Sequence, residues 1–95
     1  MVHHLVLFKF KEETRDQIDE AIRRLRGMVG KVEVIRELKA GRDVLHLARS
    51  FDLGLSVAFD DRHALEVYDS HPNHVPVKEF LGPLIERSVS VDFEE

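Results

Sequence analysis

His74 and Tyr68 are the residues of this 95-residue chain whose types and spacing suit proton chemistry. An imidazole with an ordinary pKa near 6.5 can take and return a proton near neutral pH, and a well-placed base of this kind contributes roughly 10²- to 10⁴-fold in rate. Pro72 stands between the two and pushes the residue before it out of the helical region. If Tyr68 ends one helix and His74 opens the next, both side chains can point into the gap between helices and a sheet. The same residues admit a plainer role, in which His71 and His74 cap and staple the break while Tyr68 packs its ring and bonds its hydroxyl locally. His4 is the third candidate, either lining a cavity or held as a hydrogen-bonded residue in the helix-facing layer. His3 and His4 are adjacent, so in a strand their side chains diverge and cannot hold one metal; a metal would need His4, His74 and a carboxylate. His46 and His63 fall at solvated positions. Arg23, Arg24, Arg26, Arg36 and Arg42 could hold an anion, but charges on helix and loop surfaces are usually solvated.

Several chemistries lack their residues. With no cysteine there is no thiolate nucleophile, no disulfide frame and no Cys-ligated metal site. No Gly-x-Ser-x-Gly elbow is present, and the glycines at 27, 30, 41, 54 and 82 form neither a dinucleotide nor a nucleotide fingerprint, so no cofactor is expected.

The elements that must position the histidines follow from periodicity. His3–Phe10 reads as a strand apolar on both faces, with His4, Val6, Phe8 and Phe10 on one side and Leu5 and Leu7 on the other with His3 and Lys9. Thr14 and Gln17 have capping-box spacing and predict a helix start. Ile18, Ala21, Ile22, Leu25, Met28 and Val29 form its apolar stripe, closed by Gly27 and Gly30. Residues 31–40 predict a half-buried strand and 41–50 a loop. Residues 51–60 give the cleanest strand, with large apolar side chains at odd positions and the thin set Gly54, Ser56 and Ala58 at even ones. Asp60 or Asp61 caps a second helix ending near Ser70, Asn73 caps a third with Pro76 in its first turn, and Pro83 limits it. Val89, Val91 and Phe93 alternate with Ser88, Ser90 and Asp92 in a last strand.

The order βαββαβ, with its second helix broken, predicts an α+β, ferredoxin-like fold: a four-stranded antiparallel sheet with helices on one face only. Its other face would expose Leu5, Leu7, Ile35 and the Gly54, Ser56, Ala58 stripe, which predicts a homodimer through the helix-free face, two sheets pairing into a dimeric α/β barrel.

Length and charge set the outer bounds. A chain of this size fills one core, so residues 1–95 are expected to form a single domain. Hydrophobic content of 43% with 34% charged residues is ordinary for a folded chain. A net charge of −4 with scattered basic residues argues against nucleic acid as a partner. No apolar run approaches the roughly 20 residues needed to span a bilayer. His3, His4 and Lys9 interrupt the opening segment where a signal peptide would be apolar, so no membrane partner and a cytoplasmic location are expected.

Four stretches carry a family resemblance: His4-Leu5-Val6-Leu7-Phe8-Lys9-Phe10, Phe51-Asp52-Leu53-Gly54-Leu55, Tyr68-Asp69-Ser70-His71-Pro72-Asn73-His74-Val75 and Val89-Ser90-Val91-Asp92-Phe93. Through them the chain resembles the stress-responsive A/B barrel domain (Dabb) family over nearly its whole length. That resemblance implies a dimeric α+β barrel, most of whose members have no assigned reaction. A few plant members are cyclases that fold linear polyketides by an aldol step. By resemblance to these, His74 in the His-Pro-x-His motif looks like the base, Tyr68 like its assisting hydroxyl, and His4 like the histidine lining the same cavity. No Trp and a single Tyr leave few aromatic residues to line a long acyl tunnel. Three functions are therefore expected in competition: a homodimer whose cavity binds a small apolar or aromatic molecule, a cyclase- or isomerase-like enzyme using His74, and a structural stress protein acting through assembly.

Overall fold

In the computed structural model, which describes residues 1–95, the elements are β1 (Val2–Phe10), α1 (Ile18–Arg26), β2 (Glu37–Arg42), β3 (Leu53–Phe59), α2 (Arg62–Asp69), α3 (Val75–Leu81) and β4 (Ile85–Glu94). The strands form one antiparallel sheet in the order β2-β3-β1-β4, and the helices pack on one side of it, so the fold is the ferredoxin-like arrangement expected. No helix is long and apolar enough to cross a membrane.

Strand register decides which side chains meet the helices. His4 lies opposite Val57, Val6 opposite Leu55 and Phe8 opposite Leu53, so the odd residues of β3 and the even residues of β1 share the covered face. There Leu53, Leu55, Val57 and Phe59 are buried with Ile18, Ala21, Ile22 and Leu25 of α1 in one core. On β4 the pattern is inverted: Asp92 lies opposite His4, Ser90 opposite Val6 and Ser88 opposite Phe8, so its polar residues face the helix side. Its apolar residues Val89, Val91 and Phe93 point to the face where no helix lies, and with Leu7 they are exposed.

Several element boundaries differ from the sequence expectation. The Thr14–Gln17 capping box does not form; Thr14 Oγ1 instead donates to the Lys11 and Leu84 carbonyls at 3.0 and 2.7 Å, and residues Glu12–Gln17 form a 3-10 turn before α1. Val29 is exposed rather than part of the stripe: α1 ends at Arg26, and in the turns that follow Met28 is the residue that buries its side chain. Residues 31–36 are turns, not strand: the Val32 N–H bonds back to the Met28 carbonyl at 2.9 Å and buries its side chain there, which delays β2 to Glu37 and carries it through Gly41. Ile35 packs against the core instead of lying on the bare face, and Ala58 is buried. β4 begins earlier than Ser88, at Ile85, directly after the turn at Pro83. Asn73 does not cap α3; His74 occupies that position, and Asn73 Nδ2 donates to the Lys31 carbonyl at 3.0 Å.

Two acidic residues fix the ends of elements. Asp61 caps α2, its carboxylate accepting the Ala64 N–H at 2.8 Å. Loss of this bond in Asp61→Ala is expected to lower stability by about 1 kcal/mol, readable as a shifted urea midpoint with unchanged slope. Asp52 is buried at the entry to β3, where Oδ2 accepts the Phe10 N–H at 2.8 Å and Oδ1 the Arg15 guanidinium at 2.6 Å. The five arginines singled out in the sequence are all engaged within the chain: Arg23 and Arg24 with Glu20, Arg26 with the Ala40 carbonyl, Arg36 with Asp60, and Arg42 beside Asp19.

Candidate functional site

Between the sheet and the α2–α3 pair lies a cavity of about 440 Å³, half of whose lining is apolar, Val6, Phe8, Leu55, Leu81 and Ile85 among it. His4, Tyr68, His74 and Lys78 line it too, and Glu86, Arg87 and Ser88 of β4 add a polar side. Tyr68 comes from the last turn of α2, His74 from the start of α3 and His4 from β1, so the break at Pro72 brings two elements' ends to one place.

The Tyr68 and His74 rings stack with centroids 3.9 Å apart and planes 21° from parallel. Tyr68 also leans on Phe59 at 5.0 Å and meets the His4 ring edge-on at 5.9 Å. Its ring is buried, yet no buried side-chain polar atom in the chain lacks a partner; the Tyr68 hydroxyl, unbonded within the chain, therefore opens on the cavity. Burial, with Asp69 adding a smaller contribution, pushes the phenol well above its ordinary pKa of 10, so it stays a neutral hydrogen-bond donor.

His74 is buried, and its Nδ1–H donates to the Tyr68 carbonyl at 2.9 Å and toward the Asp69 carbonyl at 3.2 Å. Carbonyls only accept, so the neutral ring carries its proton on Nδ1 and its lone pair on Nε2. Burial lowers the pKa of His74 below 6.5, and Lys78 pushes it the same way, against the raising effect of the two carbonyls. At neutral pH the ring is thus an unprotonated base, already holding the bonds that would stabilise its imidazolium.

His4 is hydrogen-bonded through Nδ1 to the carboxylate of Asp92, its cross-strand neighbour. Asp92 is the participant that sequence reasoning did not single out. Its signal was present, since Ser88, Ser90 and Asp92 are polar on alternate residues, but only the register shows that this side of β4 faces the helices. No group of three His, Asp or Glu side chains is gathered as a metal would require. His46 and His63 are exposed, His46 in the loop before β3 and His63 in the first turn of α2. His71, expected to staple the break, does so through Glu33, to which its Nε2 bonds at 3.0 Å.

Comparison with known proteins bears on this geometry. The family described as stress responsive A/B barrel domain, Dabb, matches residues 2–95. A stress-response A/B barrel domain-containing protein of Arabidopsis thaliana is 29% identical over 93 residues, covering 95% of this chain and 82% of that one. Among solved structures, a dimeric protein of unknown function and ferredoxin-like fold from Bacteroides fragilis is 25% identical with a TM-score of 0.89, over 99% of this chain and 95% of that one. A hydroxynitrile lyase from Passiflora edulis has a TM-score of 0.80 at 20% identity, over 97% of this chain and 90% of that one, a likeness of fold alone. The family match runs through all four strands and both histidine-bearing elements: this chain belongs to the stress-responsive A/B barrel domain family.

Proposed function

We propose that the chain is a homodimeric enzyme whose cavity takes a small, mostly apolar carbonyl compound and moves a proton on the carbon beside the carbonyl. The observation that carries this reading is the His74 tautomer, with Nδ1 held by two backbone carbonyls and Nε2 left as a base at a cavity whose lining is half apolar. In the step proposed, His74 Nε2 takes the α-proton, the C–H electron pair forms the enolate, and the Tyr68 hydroxyl donates a hydrogen bond to the developing oxyanion. His4, oriented by Asp92, positions the substrate. Return of the proton from the imidazolium to a different carbon of a conjugated enolate gives isomerisation. Attack of the enolate carbon on a second carbonyl of the same molecule forms the new C–C bond, and the imidazolium Nε2–H then protonates the resulting alkoxide to complete cyclisation.

Acetophenone and a linear 1,3-diketone in D₂O, followed by proton NMR, test the step without knowledge of the natural substrate. Faster loss of the α-proton signal than in buffer supports it. A ketone that perturbs the Tyr68 and His74 resonances without exchanging would show a binding protein instead.

Dimerisation is the second part of the proposal. The inverted pattern of β4 supports it, because Val89, Val91 and Phe93 face away from the helices beside exposed Leu7. A two-fold pairing of this face covers them and closes two sheets into a barrel, and the Bacteroides fragilis relative is a dimer. Light scattering at micromolar concentration is expected to give the dimer mass for the natural chain and the monomer mass for Val91→Asp; a monomer in both would refute the pairing.

A further inference from the structure

The turn that carries His74 is tied down by a second histidine. Both ring nitrogens of His71 are occupied. The Asn73 N–H donates to Nδ1 at 3.0 Å, so Nδ1 bears the lone pair, and Nε2–H donates to Glu33 Oε2 at 3.0 Å. The backbone of the same residue is a junction: its N–H donates to the Tyr68 carbonyl at 3.1 Å, and its carbonyl accepts the N–H groups of His74 and Val75 at 2.9 and 3.0 Å. The Tyr68 carbonyl therefore receives three donors, the N–H groups of Ser70 and His71 and the His74 Nδ1–H. Movement of His71 would move the nearer of the two acceptors that set the protonated nitrogen of His74, the other being the Asp69 carbonyl at 3.2 Å.

A turn alone does not need this arrangement. Asn or Asp at position 71 would accept the Asn73 N–H as an Asx turn. Histidine adds a bond from its far nitrogen to Glu33, on the segment before β2, and Asn73 Nδ2 bonds to the Lys31 carbonyl on that same segment. The α2–α3 turn is thus anchored at two points to residues 31–33. Glu33 is 71% exposed, where such a pair adds little to stability; what the bond supplies is the orientation of the His71 ring.

We infer that His71 is a positioning residue: anchored by Glu33 and Asn73, it holds the Tyr68 carbonyl where that carbonyl, together with the Asp69 carbonyl, keeps the proton of His74 on Nδ1 and leaves Nε2 free as the base. Its catalytic meaning rests on the proposed function, but the tautomer it sets can be read with no substrate present. Long-range ¹H–¹⁵N spectra of the imidazoles at neutral pH report which nitrogen of His74 carries the proton.

In the natural chain the Nδ1-protonated form of His74 is expected to dominate. Glu33→Ala, an exposed change that leaves the core alone, should reduce it. His71→Asn, which keeps the acceptor for Asn73 but not the Glu33 bond, should reduce it to a similar extent, and His71→Ala should lose it as the major form. A His74 spectrum in Glu33→Ala identical to that of the natural chain overturns the inference, even where His71→Ala fails to fold. If ketone exchange is absent but the tautomer shifts in this order, the enzyme reading falls and the positioning role stands. Exchange in the natural chain with an unresponsive tautomer refutes the positioning role alone.

Discussion

His74→Ala is expected to abolish α-proton exchange, lowering the rate by roughly 10²- to 10⁴-fold, the contribution of a positioned general base. The loss belongs to kcat more than to KM, because the apolar wall formed by Val6, Phe8, Leu55 and Leu81 remains to bind the ketone. Tyr68→Phe should cost less, since it removes one hydrogen bond to the oxyanion and keeps the ring stacked on His74. The pH profile follows from the depressed pKa of His74. A base with a lowered pKa stays unprotonated further into acid, so the acid limb of kcat/KM should fall below pH 6.5 rather than at it. Tyr68, raised above 10, sets no alkaline limb in the neutral range. Unchanged exchange in His74→Ala would remove the base from the mechanism.

Asp52→Ala is expected to be the most damaging change outside the cavity. It leaves the Phe10 N–H without its partner in a buried place and frees the Arg15 guanidinium, a loss of about 2–3 kcal/mol. For a domain of this size that corresponds to a melting temperature lower by roughly 10–20 °C. Burial alone would raise the Asp52 pKa, but the Phe10 N–H and Arg15 together outweigh it and hold the carboxyl below its ordinary 3.8. A group whose folded pKa is depressed stabilises fully above its unfolded value and loses that stabilisation as the pH falls through the folded one. The gap in stability between the natural chain and Asp52→Ala should therefore be constant above about pH 5 and narrow below 3.8. Denaturation curves at pH 7 and pH 3 measure it; an equal gap at both would show that the carboxylate charge plays no part.

The fold was legible because its signals are local and repeated. The odd-position run Leu53, Leu55, Val57 and Phe59 and the stripe Ile18, Ala21, Ile22 and Leu25 each bury as their periods require. What was illegible depended on partners far along the chain. Thr14 had the right neighbour for a capping box, but the Leu84 carbonyl, 70 residues away, takes its hydroxyl. Val32 and Val34 alternate as a strand would, but no strand lies beside them, and the chain folds back on Met28 instead. For the candidate site, a short motif supplied Tyr68 and His74, while Asp92 and Glu33 entered through sheet register and a turn-to-turn contact that no spacing encodes.

The stacked Tyr68 ring has a spectroscopic consequence. It is the single tyrosine of a chain without tryptophan. Light absorbed and emitted in the tyrosine band therefore originates wholly at the cavity, 3.9 Å from the imidazole of His74. The protein is its own dye: a ligand entering, or a proton arriving on His74, alters the surroundings of its one tyrosine, and the emission in that band reports both events without a label.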